Sequence, residues 1–145
     1  MYILDTCVIS ELTKKKPHKN VVNFLNKQDQ NRLFISALTI GEIEKGITKL
    51  KDQERKLSLT IWLKNELYNY FNNKIIPINQ DISRVWGILA GNNEINAKPS
   101  PIIDGLIAAS AILVKATIIT RNEKDFSFFP VKIINPWPKP PLSKT

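Results

Sequence analysis

Apolar positions along the chain switch repeatedly between short β-rich runs and stripes with helical spacing. Tyr2-Ile3-Leu4 predicts a buried strand, and Val8–Leu12 a brief helix that Lys14-Lys15-Lys16-Pro17 ends. Val21, Phe24 and Leu25 stand at i, i+3 and i+4 and predict the next helix. Leu33-Phe34-Ile35 reads as a second strand, leading into a helix striped by Ile40, Ile43, Ile47 and Leu50. After a polar break at Lys51–Arg55, the segment Leu57–Phe71 predicts a long helix with Leu57, Ile61, Leu67 and Phe71 as its spine. Ile75-Ile76-Pro77-Ile78 predicts a strand at or near a sheet edge, because proline has no N–H to donate to a ladder. A helix over Ile82–Ala90, a polar loop over Asn92–Pro101 and a strongly apolar helix over Ile102–Val114 follow. Ser100 and Pro101 fit the N-cap and first position of that last helix. Thr117-Ile118-Ile119-Thr120 and Val131-Lys132-Ile133-Ile134 complete the strands.

Strands alternating with helices predict an α/β sandwich, a parallel sheet covered by helices on both faces. A chain of 145 residues has room for one domain, expected over residues 1–135. Residues 136–145 form a proline-rich tail, expected to be extended and loosely held, within which Trp137 either packs back on the domain or meets a partner. No run reaches the roughly 18 apolar residues of a membrane span. One cysteine, Cys7, excludes a disulfide framework and any cysteine-based zinc site. Without an export signal, the expected location is the reducing cytoplasm, with no membrane partner.

Ligands of parallel sheets gather beyond the carboxyl ends of the strands, and four acids fall at such places. Asp5 directly follows the first strand, where it also fits the N-cap of the next helix. Glu42 lies in the helix after the second strand, and Thr39-Ile40-Gly41-Glu42 also fits a capping box. Asp104 is the only charge between Ile102 and Val114; with Ser100 as cap it is the fourth helical residue and has no capping role. Asp125 follows the strand ending at Thr120, where a turn or a pair with Arg121 is the alternative explanation.

Carboxylates sharing one pocket raise each other's pKa unless a cation compensates them. The one histidine, His18, excludes every zinc motif built on two histidines and any catalysis needing a histidine pair. The compensation that remains is a hard divalent ion on oxygen ligands, Mg²⁺ or Mn²⁺, completed by substrate phosphate. Lys and Arg number 21 against 13 Asp and Glu, a net charge of +8 that favours a polyanionic partner. A basic chain with an acidic metal pocket and no histidine pair is the pattern of a metal-dependent phosphodiesterase. A phosphoaspartate phosphatase is disfavoured, since Asp5 is followed by Thr6-Cys7 rather than by a second Asp two residues on.

The order Tyr2-Ile3-Leu4-Asp5-Thr6-x-Val8-Ile9-Ser10-Glu11-Leu12, Thr39-Ile40-Gly41-Glu42-Ile43, Asp104-Gly105-Leu106-Ile107-Ala108-Ala109 and Ile119-Thr120-Arg121-Asn122-x-x-Asp125-Phe126 resembles the PIN-domain ribonucleases. More closely it resembles the VapC-type toxins of toxin–antitoxin pairs, including their FitB-like branch. The resemblance runs from Tyr2 to about Ile134. It implies a three-layer α/β/α sandwich with a five-stranded parallel sheet, and a catalytic site of Asp5, Glu42, Asp104 and Asp125. Asp5 and Asp104 would be the principal Mg²⁺ ligands, with Glu42 and Asp125 binding a second ion or orienting water. Thr6, Thr120 and Asn122 would support them. Cys7 departs from the family, which commonly has Asn there, and this removes a hydrogen bond beside Asp5 but no ligand. The position of Gly105 varies toward small residues. The implied activity is endoribonucleolytic hydrolysis to 5′-phosphate and 3′-hydroxyl ends, inhibited by a cognate antitoxin. The implied partners are an RNA substrate, the antitoxin, a second copy of the chain in a homodimer, and promoter DNA through the antitoxin complex. Lys14, Lys15, Lys16 and Arg121 are candidate RNA contacts. The alternatives are a catalytically silent binding module and a PIN nuclease without an antitoxin.

Overall fold

In a computed structural model that describes residues 1–139, the chain opens with β1 (Tyr2–Leu4) and crosses through α1 (Thr6–Leu12) and α2 (Lys19–Asn26) to β2 (Leu33–Ser36). Next come α3 (Ala37–Thr48), α4 (Gln53–Trp62), a π-helical turn at Leu63–Leu67, a last turn α5 (Tyr68–Tyr70), and β3 (Ile75–Ile76). The antiparallel-free second half runs α6 (Gln80–Ile95), α7 (Ile102–Val114), β4 (Thr117–Ile119), α8 (Glu123–Phe126) and β5 (Ile133–Ile134). All five strands are parallel, in the order β3-β2-β1-β4-β5. Residues 140–145, the outer part of the expected tail, lie outside the described residues.

Central position explains the composition of β1. Its two faces meet two different cores: Leu4 packs with Ile119, Leu33 and Ile35 on one side, while Ile3 packs with Ile118, Ile107 and Phe126 on the other. Ile3 is fully buried and Leu4 is 2% exposed; burying each contributes on the order of 1.5–3 kcal/mol. A strand covered on both faces therefore reads as a continuous apolar run. Tyr2 is bonded in register to Leu33 on one side and Thr117 on the other, so strand order reverses around β1. The crevice beyond the carboxyl ends of β1 and β4 is thus the topological switch point, where such sheets hold their ligands.

Several expectations are corrected in detail. Residues Leu57–Phe71 are not one regular helix, because the π-helical turn inserts a residue and shifts the buried stripe. Leu63, Leu67 and Phe71 form the buried spine, whereas Leu57 and Ile61 are exposed. Helix α4 already begins at Gln53, capped by Asp52, so the polar break is shorter than expected. Helix α6 extends to Ile95 and absorbs the first residues of the expected polar loop. The strand at Ile75–Ile76 does lie at a sheet edge and stops before Pro77.

The alternatives for Trp137 are resolved: it is 7% exposed and joins the core that includes Leu4, Val8 and Ile119. The described start of the tail is anchored there by the buried indole, whose apolar area goes into the core while its N–H finds an acceptor. No helix among the described residues is long and apolar enough to cross a membrane.

Candidate active site

Asp5 leaves β1 in an extended conformation, and its backbone N–H donates to Ile119 O on β4 at 2.9 Å. The ends of the two strands at the switch point are thereby tied together. Asp5 is buried, 4% exposed, and three donors hold its carboxylate. Oδ1 accepts the Thr6 backbone N–H at 2.9 Å. Oδ2 accepts the Thr120 hydroxyl at 2.7 Å and the Cys7 thiol at 3.7 Å. Asp5 is therefore the helix cap and the inward-facing acid at once.

Cys7 replaces the missing hydrogen bond beside Asp5 with a weaker one. Burial and the Asp5 charge push its thiol up, against the opposing effect of the Arg121 backbone N–H and Thr120. The thiol thus keeps its proton as a donor. Arg121 N–H points at Cys7 Sγ, 3.5 Å away, and Asn122 N–H donates to Thr120 Oγ1 at 3.0 Å. Asn122 supports the site through this backbone N–H.

Glu42 comes from α3. That helix is capped by Ser36, whose Oγ accepts from Leu38 N at 3.1 Å, so Thr39-Ile40-Gly41-Glu42 is not a capping box. Glu42 is free of that role, and Thr6 Oγ1 donates to its Oε1 at 2.6 Å. Thr39, fully buried, places its hydroxyl 3.3 Å from that of Thr6. Sequence reasoning missed Thr39 as a site neighbour; its position three residues before Glu42 on the same helix face was the available signal.

Asp104 is the third residue of α7, not the fourth, because Pro101 occupies the cap position and Ser100 instead accepts from Asn93 Nδ2 at 3.4 Å. Its carboxyl is pushed up to about 6, first by burial and then by the charges of Asp5, Asp125 and Glu42. Asp104 thus lies within electrostatic reach of the other three predicted acids. Asp125 lies on the short α8 and forms no ion pair with Arg121. Among the described residues the one ion pair is Lys14–Glu11, so none of the four acids has a lysine or arginine partner.

An uncompensated set of oxygen donors fits a hard divalent cation, which keeps part of its water shell. Among the described residues, no three acidic, histidine or cysteine side chains converge as a ready-made cage. A cleft of about 670 Å³ lies elsewhere, between α1 and α4, lined by Leu12, Arg55, Leu57, Ile61 and Trp62. It contains no member of the acidic quartet.

Lys14, Lys15 and Lys16 are all exposed, and of the three Lys14 is paired with Glu11, at 3.1 Å. Glu11 is a second residue the sequence did not single out. It is buried, and burial alone would push its carboxyl up. The Lys14 ammonium, the His18 N–H and the Trp137 indole outweigh burial and hold it below the ordinary carboxylate range.

The family model described as PIN domain matches residues 2–130 of this chain. The chain belongs to the PIN-domain family. This PIN domain is 31% identical to a protein named VapC ribonuclease Y4jK from Sinorhizobium fredii, over 94% of the chain and 98% of that relative. It is 28% identical to Toxin FitB of Neisseria gonorrhoeae over 94% of the chain and 99% of the relative. A crystal structure of FitAcB from the same organism superposes with a TM-score of 0.89 at 28% identity, covering 94% of this chain and 99% of that one. A toxin–antitoxin complex from Klebsiella pneumoniae superposes with a TM-score of 0.65 at 25% identity, covering 94% and 98%. The switch-point site of this PIN domain lies within the matched residues, and Trp137 lies beyond them.

Proposed function

We propose that this PIN domain is an endoribonuclease toxin that hydrolyses RNA with a divalent cation held by Asp5, Glu42, Asp104 and Asp125. The observation that carries the reading is the set of acids without a basic partner at the switch point, where Asp104 is pushed up to about 6 by burial and then by the charges of Asp5, Asp125 and Glu42. The names of the relatives, a VapC ribonuclease and a toxin, support the activity and its class. Mg²⁺, or Mn²⁺ in its place, supplies there an activated water and offsets charge on the scissile phosphate.

The chain's own residues prepare that site. Thr120, Cys7 and the Thr6 N–H fix the Asp5 carboxylate in one orientation, and Thr6 does the same for Glu42. Fixed carboxylates need no reorganisation when the ion and substrate arrive. A ribonuclease that activates the RNA 2′-hydroxyl with an imidazole pair would leave a cyclic phosphate, and His18 is the only histidine here. His18 Nδ1 is also engaged in accepting Asn20 N–H at 3.1 Å. Hydrolysis by a metal-activated water would leave 5′-phosphate and 3′-hydroxyl ends.

A cognate antitoxin would block the enzyme by inserting an Arg or Lys among the four acids; the toxin–antitoxin complex with this fold supports such a partner. The working enzyme is a homodimer, and promoter DNA is bound through the antitoxin. The test compares the purified protein with Asp5→Asn on a defined RNA in Mg²⁺, Mn²⁺ and EDTA, typing the product ends. Metal-dependent cleavage to 5′-phosphate ends, absent in the variant, is the expected result. Cleavage that persists in EDTA overturns the metal mechanism. RNA binding without any cleavage favours the silent binding module.

A further inference from the structure

The end of β4 carries a cation that the acidic quartet does not account for. Arg121 is exposed, and its backbone N–H reaches Cys7 Sγ, itself in contact with Asp5. Its guanidinium carbon lies 5.5 Å from the centre of the Trp137 ring. Trp137 is anchored twice: its N–H donates to Asn135 Oδ1 at 3.0 Å, and its indole Nε1–H to Glu11 Oε1 at 3.4 Å. Glu11 in turn binds the Lys14 ammonium and the His18 N–H.

These contacts separate two cations that look alike in the sequence. Lys14 is neutralised by a buried carboxylate, so it brings little charge to a polyanion. Arg121 has no carboxylate partner among the described residues and is laid on an aromatic face. With the ring on one side and no carboxylate partner, the guanidinium N–H groups are left for a bidentate grip on phosphate. It also restricts the side chain beforehand, so less rotamer freedom is lost on binding.

We propose that Arg121 grips an RNA phosphate beside the acidic site, that Trp137 and Glu11 are positioning residues acting through it, and that Lys14 is structural. This rests on the ribonuclease reading of the site. Of the three residues, Arg121 and Glu11 lie within the family match and Trp137 beyond it.

The test measures binding of a short labelled single-stranded RNA to the full-length protein in EDTA across a series of salt concentrations. Each phosphate neutralised contributes about 0.7 to the slope of log K against log salt for single strands. Arg121→Ala is expected to lower the slope by about that amount and to weaken binding several-fold. Trp137→Leu, which changes no charge, is expected to lower the slope similarly, and the double variant to bind no more weakly than Arg121→Ala alone. Trp137→Phe keeps a ring face and retains most of the binding, and Lys14→Ala keeps the wild-type slope. Thermal unfolding identifies any variant that fails to fold; should Trp137→Leu do so, Trp137→Met, which also removes the ring without changing charge, takes its place with the same expected loss of slope. An unchanged slope in Arg121→Ala overturns the proposal and leaves the cation facing an acidic protein partner. A wild-type slope in folded Trp137→Leu overturns the positioning role. Wild-type protein that binds RNA with the expected slope but never cleaves it sinks the nuclease reading and not the role of Arg121.

Discussion

Thr120 Oγ1 donates a 2.7 Å hydrogen bond to Asp5 Oδ2 across a sequence separation of 115 residues. The bond joins the ends of β1 and β4 at the point where strand order reverses. Thr120 also receives the Asn122 N–H, so one hydroxyl both orients the acid and shapes the turn that leads to Asp125.

Replacing Thr120 with Val removes this donor while keeping the side chain's shape. Asp5 Oδ2 is then left with the Cys7 thiol alone. Loss of a group that orients a metal-binding carboxylate typically costs about 10–100-fold in activity or metal affinity, and Thr120→Val is expected to fall in that range. Thr120→Ser keeps the hydroxyl and should stay within a few-fold of wild type. Steady-state cleavage and Mg²⁺ titration of both variants check the expectation; equal activity in Thr120→Val contradicts it.

Asp104 sets a pH dependence of defined sign. Its folded-state pKa, about 6, lies above the ordinary 3.8. The folded chain therefore holds this proton more tightly than the unfolded chain does. The resulting stabilisation is full below about 4 and is lost as pH rises through about 6. Asp104→Asn mimics the protonated form. In metal-free buffer its melting temperature should match wild type near pH 4 and exceed it by a few degrees at neutral pH, while cleavage is abolished. A variant no more stable than wild type at neutral pH removes the electrostatic strain from the site.

The Cys7 thiol is raised above its ordinary 9.0, chiefly by burial and then by Asp5. Since the thiolate is the reactive form, alkylation by iodoacetamide near neutral pH should be slower than for free cysteine and should quicken only in alkaline solution. Asp5→Asn removes the neighbouring charge and should speed the reaction. Cys7 is the only cysteine, so mass spectrometry reads the modification without ambiguity. Rapid labelling at neutral pH would show that the thiol does not serve Asp5 as a donor.

Gly105 follows Asp104, and its backbone lies close against Trp86. A Cβ there would sit 2.9 Å from Trp86 Cδ1, 3.0 Å from Nε1 and 3.2 Å from Phe129 Cζ. Overpacking of this kind costs about 1–3 kcal/mol, so Gly105→Ala should lower the denaturation midpoint and reduce cleavage by displacing Asp104. Urea titration and activity measure both effects. An unchanged midpoint means that the indole moves aside freely.

Much of the fold was legible because the physics behind it is local. Ile3 and Leu4 had to be apolar to be buried on both faces, and the Pro77 ring marked an edge. Asp104 stood out as the only charge in an apolar helix. The four acids could be named because each follows a strand or opens a helix, where a parallel sheet gathers its ligands. The misplaced features had non-local causes. Ser36 rather than Thr39 caps α3, since the strand delivers Ser36 to the helix start. A π-helical turn shifted the phase that made Leu57 and Ile61 look like core.

The pattern of residues thus carries the element order and the parallel sheet, and it places the four candidate acids after strands or at helix starts, because periodicity and turn chemistry act over a few residues. It does not carry the pairing of Thr120 with Asp5, of Thr6 with Glu42, or of Trp137 with Glu11 and Arg121. Those contacts join segments far apart in the chain, and they exist because β1 and β4 run side by side and the tail packs into the core. Burial among like charges is likewise a property of the assembled site, which is why the Asp104 carboxyl rises to about 6 only there.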